Sequence, residues 1–204
     1  MNQPEIAPVA MDQTFPGNAQ DDRADKMLEE PFISPTIPDW SREIPPRFWH
    51  PPFRLLRAFR RWESWRDRGG VRNRMKWIWT LEYRLWSVVT GADIPLGTKI
   101  AGGLMMQHAN GIVIHGHSTI GPNCLIFHQV TVGAGGKKAG VPTLGGHVDV
   151  GAGAKILGGI TIGDHVKIGA NAVVLDDVPA GATAVGVPAR VILKNRFHSH
   201  PEQT

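Results

Sequence analysis

Hydrophobic residues recur along this chain at two periods, and the change of period divides it. In PPFRLLRAFRRWESW, Leu55, Leu56, Phe59 and Trp62 recur at the spacing of one helix face. In NRMKWIWTLEYRLWSVVTG, Met75, Ile78, Trp79, Leu85, Trp86 and Val89 do the same, with Glu82 as a polar interruption and Gly91 as a stop. Two helices are predicted, with Gly69 and Gly70 between them and the Arg residues on a solvated face opposite a packed Trp stripe. From Ile94 onward the period becomes six. Ile114, Ile120, Ile126 and Val132 are six apart, and Leu144, Val150, Ile156, Ile162, Ile168 and Val174 resume in frame after an interruption. Upstream, Ile94, Ile100 and Met106 share the frame, with two extra residues before Ile114.

A period of six fits neither the two-residue repeat of a strand nor the helical 3.6. It fits a triangular coil in which each hexad makes one flat side, an aliphatic points inward and a small residue follows at the corner. Three hexads make a turn, and turns stack at about 4.8 Å. The predicted fold is mainly β, a parallel solenoid over residues 91–193, preceded by a helical segment over 46–90. Residues 1–45 are polar and Pro-rich and are expected to be disordered. Residues 194–204 form a tail.

Composition narrows the class. A net charge of +4 does not demand nucleic acid, and no partner of that kind is expected. The single Cys124 excludes an intrachain disulfide framework and a multi-Cys zinc site and points to a reducing compartment. Its hexad position marks it as a small buried residue. No stretch approaches the roughly 18–20 apolar residues of a membrane span. Peripheral membrane contact by the Arg- and Trp-rich helices is weakened by Glu63, Asp67 and Glu82 on the same faces. No basic-then-apolar leader opens the chain, so a cytoplasmic protein is expected.

The chemistry centres on LMMQHANGIVIHGHSTIG, which carries His108, His115 and His117. His115 and His117 are expected to be solvated corner residues. The spacing of the three matches no zinc motif, and no metal is expected. His108 differs because it sits at the two-residue irregularity of the hexad frame, where the backbone can leave the coil and project a side chain.

The hexads, GAGAKILGGITIGDHVKIGANAVVL and the closing VPAGATAVGVPARVI resemble the serine acetyltransferase branch of the left-handed β-helix acyltransferases. GVPAR is common to many hexapeptide acyltransferases, whereas the run from GADI to HANGIVI is more specific to that branch. The resemblance implies a left-handed β-helix, acetyl-CoA as acetyl donor, and a homotrimer that binds the donor between neighbouring solenoids. It matches His108 to the catalytic histidine and Asp93 of GADI to its carboxylate partner. Fifteen residues separate the two, close to one coil. A neutral imidazole takes the proton of a hydroxyl attacking the thioester, and the carboxylate fixes its tautomer. Ala134 and Gly135 match residues near the pantetheine arm, Ala152 and Ala170 match alanines whose backbone meets the cofactor, and Lys167 matches a lysine near its phosphates. Gln107 and His128 are candidates for the acceptor site, as is His147.

Three departures bear on the acceptor. Gly140 and Val141 stand where the family carries an Arg-His pair before Pro142. Gln107 replaces an Asp, and the helical domain is short. The expected activity is O-acetylation of L-serine for cysteine synthesis. A sugar or exopolysaccharide acceptor is the alternative, and a non-enzymatic or metal-binding β-helix is a minor one.

Overall fold

The computed structural model describes residues 33–45, 49–66 and 76–193. The expected tail over 194–204, the Gly69–Gly70 turn and most of the N-terminal segment lie outside the described residues.

The solenoid is built as the hexads require. It is a left-handed parallel β-helix of about four turns. Short strands stack into three sheets of four, six and four strands. Face I stacks Lys99–Ile100, Thr119–Ile120, Thr143–Leu144 and Thr161–Ile162. Face II stacks Met105–Met106, Leu125–Ile126, Asp149–Val150, Lys167–Ile168 and Thr183–Val185, closed by the antiparallel Arg190–Ile192. Face III stacks Val113–Ile114, Thr131–Gly133, Lys155–Leu157 and Val173–Val174. Like residues pair in register: Ile100 with Ile120, Met106 with Ile126, Ile114 with Val132. Ile120, Ile126, Ile156 and Ile162 are at most 1% exposed and Ile168 is 3% exposed, as the six-residue frame demands.

Each hexad buries a second position two residues before the first, because alternate residues of a strand point the same way. Leu104, Cys124, Val148 and Val166 fill it at one corner and Ile112, Val130, Ala154 and Ala172 at another. Cys124 is therefore a core residue, and burial pushes its thiol up to about 12.

The coil is not uniform. From Ile100 to Ile120 a turn takes 20 residues, from Ile120 to Leu144 it takes 24, and from Leu144 to Ile162 it takes 18. The corner between faces II and III spans residues 107–112 in the first coil but 127–130 in the next, so the two extra residues are those around His108. The six extra residues of the longer turn are the Gly-rich loop after Gly133.

Two helices precede the coil, α1 (Pro51–Arg66) and α2 (Lys76–Thr90). They pack through Phe59 against Tyr83, and Arg61 grips both carboxylate oxygens of Glu82 at 3.1 Å. α1 buries Leu55, Leu56, Ala58 and Phe59, close to the expected face. α2 departs from expectation in part: of the expected stripe Trp79 and Trp86 are half-buried while Ile78, Leu85 and Val89 are exposed, and the buried residues are Tyr83 and Thr90. Its apolar residues surround the axis more widely than α1 alone can cover.

Residues 33–45 also depart from the disordered segment to which their composition assigned them. They form a strap with a 3-10 turn, Trp40–Glu43, along the corner between faces I and II. Its anchors are polar. The Asn123 amide accepts from Asp39 N–H at 2.7 Å and donates to the carbonyls of Ser34 and Ile37. The Glu43 carboxylate accepts from Gly103 N–H at 2.9 Å and from Arg60 at 2.9 Å, while Arg60 also donates to Glu63 and to the carbonyls of Ile100 and Ala101. Trp40 lies over Gly102, where a Cβ would meet its ring at 2.6 Å. Hydrophobic patterning does not register such a segment, because its order comes from hydrogen bonds rather than from an apolar face.

Candidate active site

His108 occupies the enlarged corner between faces II and III, with φ of 53°. That left-handed backbone is uncommon outside Gly, Asn, Asp and His, and here the two-residue insertion imposes it. The imidazole is exposed and stands edge-on to the ring of His128 in the next coil, centroids 6.1 Å apart. His128 Nδ1 is buried without a hydrogen-bond partner among the described residues.

Asp93 lies at the top of face III. Its backbone pairs with Val113, Asp93 N–H donating to Ile112 O at 2.8 Å and Ile114 N–H to Asp93 O at 2.9 Å. The approach to it is fixed by Ser87 Oγ donating to Ala92 O at 2.6 Å and by the Tyr83 hydroxyl donating to Ile94 O. Asp93 stacks over Val113, 20 residues on, so His108, 15 residues on, sits five residues before that pair; two of the five come from the longer first coil. Among the described residues no hydrogen bond joins the carboxylate to the imidazole.

Below His108 the same corner forms a column. Gln129 N–H donates to Asn110 O, Gly153 N–H to His128 O, and Asn171 N–H to Ala152 O, each at 2.8–2.9 Å. Ala152 and Ala170 therefore lie beneath His128 on one edge, and Lys167 projects from face II beside them. Ala134 and Gly135 lie elsewhere. They start the Gly-rich loop at the corner between faces III and I, where Lys138 pairs with Asp177 at 2.6 Å and Gly159 N–H donates to Lys138 O. His115 and His117 share that other corner, a full face away from His108, with rings 5.4 Å apart. His147 is more distant still, on the strap corner, its Nδ1 2.8 Å from that of His165.

Beside His108 opens a cavity of about 570 Å³. Residues 105–110 form one wall, residues 50–53 with Val89 and Thr90 the other. It includes Gln107, as expected, and also His50, which nothing in the hexad register or the helical pattern singled out. The signal in the sequence was a lone histidine before two prolines at a helix start. Among the described residues no group of three or more His, Cys, Asp or Glu is arranged to hold a metal, and no helix is long and apolar enough to cross a membrane.

In its three-faced hexad coil the chain is similar to the hexapeptide-repeat transferases. The family model for the bacterial transferase hexapeptide (six repeats) matches residues 142–176. The solenoid is also similar to serine acetyltransferases. The Helicobacter pylori (strain J99) serine acetyltransferase is 53% identical over 110 residues, covering 53% of this chain and 64% of the relative. A solved serine acetyltransferase from Vibrio cholerae superposes with a TM-score of 0.59 at 35% identity, over 70% of this chain and 54% of the other. A serine acetyltransferase in complex with CoA gives 0.59 at 36% identity, over 71% and 57%. The chain thus spans less than two thirds of the length of these relatives.

Proposed function

We propose that this chain is an acetyl-CoA-dependent serine O-acetyltransferase. The observation that carries the reading is the place of His108: it heads the alanine column, at the insertion that turns its side chain out of the coil, on the rim of a cavity large enough for an acceptor. The relatives' activity and the bound CoA of one of them support it. His108 serves as general base. Its imidazole takes the proton of the serine hydroxyl as that oxygen attacks the thioester carbonyl carbon. The tetrahedral intermediate collapses with cleavage of the C–S bond, and the imidazolium returns the proton to the departing thiolate, giving O-acetylserine and CoA. Asp93 is the orienting carboxylate. Catalytic hydrogen bonds are often long in the free enzyme and tighten in the complex, and the pinned backbone of Asp93 provides a fixed point toward which His108 can close.

The cofactor residues support a homotrimer. Ala152, Lys167 and Ala170 lie along one edge and Ala134 and Gly135 along another, with face III between them, so one donor molecule reaches both sets where the edge of one chain meets that of a neighbour. We place the protein in the cytoplasm, where acetyl-CoA and reduced Cys124 coexist.

Gly140 and Val141 favour a second reading, a sugar acceptor, because neither supplies a cation for a carboxylate. Thiol release from acetyl-CoA against L-serine, homoserine and a panel of sugars separates the two. Release that depends on serine is expected. Release with a sugar and none with serine overturns the serine assignment and leaves the transfer chemistry in place.

A further inference from the structure

Resting on the acetyl-transfer reading, we infer that His50 is the acceptor-specificity residue of this site, holding the carboxylate of an amino-acid acceptor in the cavity it shares with His108.

Among the described residues no Asp, Glu, Lys or Arg lines this cavity. An amino acid brings two charges, and both need partners in a partly dry space. The walls supply polarity of another kind. The 16-residue helix α1 begins at Pro51, and α2 ends at Thr90, so the positive end of one helix dipole and the negative end of another lie on the same wall. That pairing complements a zwitterion and offers little to a neutral sugar.

Backbone donors are scarce at the start of α1. Pro51 and Pro52 carry no N–H, and Arg54 N–H is already given to His50 O at 3.1 Å. A side-chain donor is needed, and His50 provides one. It lines the cavity, and its Nδ1 is buried and has no hydrogen-bond partner among the described residues. Its ring is held edge-on to Phe53, centroids 4.6 Å apart. A buried ring nitrogen left unpaired is unfavourable, and a ligand carboxylate satisfies it. Within this chain the Gly-rich loop does not line the cavity: Gly140 and Val141 have no side-chain donor, Lys138 is held by Asp177, and Lys137 sits beside it in the loop at another corner.

The test is steady-state acetyl transfer by the full chain with L-serine and with L-serinamide, in which the carboxylate charge is gone. In the unmodified enzyme serine is preferred. His50→Ala raises the KM for serine roughly tenfold, the size of one charge-assisted hydrogen bond, leaves kcat and the KM for acetyl-CoA nearly unchanged, and abolishes the preference over serinamide. His50→Gln keeps a donor and recovers part of that preference, which also covers the case in which the alanine variant does not fold. Serine-dependent release with an unchanged serine-to-serinamide ratio in the folded variants overturns this inference alone. No serine-dependent release from the unmodified chain overturns the serine assignment and this inference together.

Discussion

Three histidines of this solenoid, His108, His147 and His165, sit in left-handed backbone, with φ between 52° and 57°. They share a conformation and differ in surroundings. His147 and His165 stack in successive coils under the strap corner, and burial first, with a smaller contribution from the charge of His165, lowers the pKa of His147 against the opposing pull of Asp149. Its charged form is disfavoured by the fold, so the unfolded chain takes up the proton first as the pH falls. Stability is therefore full above the ordinary histidine value of 6.5 and declines as the pH drops through 6.5 toward the lower folded value. Thermal unfolding followed from pH 7.5 to 5.5, in unmodified protein and in His147→Asn, is expected to show a shallower decline in the variant, since Asn tolerates the same backbone. Equal slopes would remove His147 from the account. His108 could be picked out in the sequence because it broke a regular frame. His50 could not, because no frame predicted where the start of α1 would dock.

The elements divide by what orders them. Apolar burial orders the coils, so a hydrophobic register located them to within a residue. The strap is ordered by Asn123, Glu43 and Arg60, and a polar segment held by polar partners looks like a disordered one in composition. Arg60 is the central tie, joining Glu43, Glu63 and two carbonyls of the first coil with its side chain 18% exposed. Arg60→Ala leaves the Glu43 carboxylate, 10% exposed, without its cation. A loss of about 3 kcal/mol is expected, measured as a lower urea midpoint at unchanged m-value. A loss below about 1 kcal/mol would show that the strap stands on its other anchors, Asn123, Trp40 and the Glu43–Gly103 hydrogen bond. On α2 the period marks the helix, but period alone does not say how much of the stripe a single neighbour covers: Trp79 and Trp86 are half-buried and Leu85 and Val89 are exposed.

At the scale of the whole molecule, the residues that the resemblance matches to the donor lie on two edges of the solenoid, and the cavity proposed for the acceptor lies between the solenoid and the helix pair. The proposed homotrimer would bring unlike edges together. Light scattering across the assay concentration range is expected to give three times the chain mass, and a stable monomer with undiminished activity would refute the shared cleft. The central claim is narrower, that the histidine at the widened corner moves the proton. His108→Asn tests it most directly, since Asn accepts the left-handed backbone but cannot act as a base at neutral pH. Acetyl transfer to serine is expected to fall by about 10²–10⁴-fold while acetyl-CoA binding, followed by calorimetry, is kept. Turnover close to that of the unmodified enzyme would contradict the account.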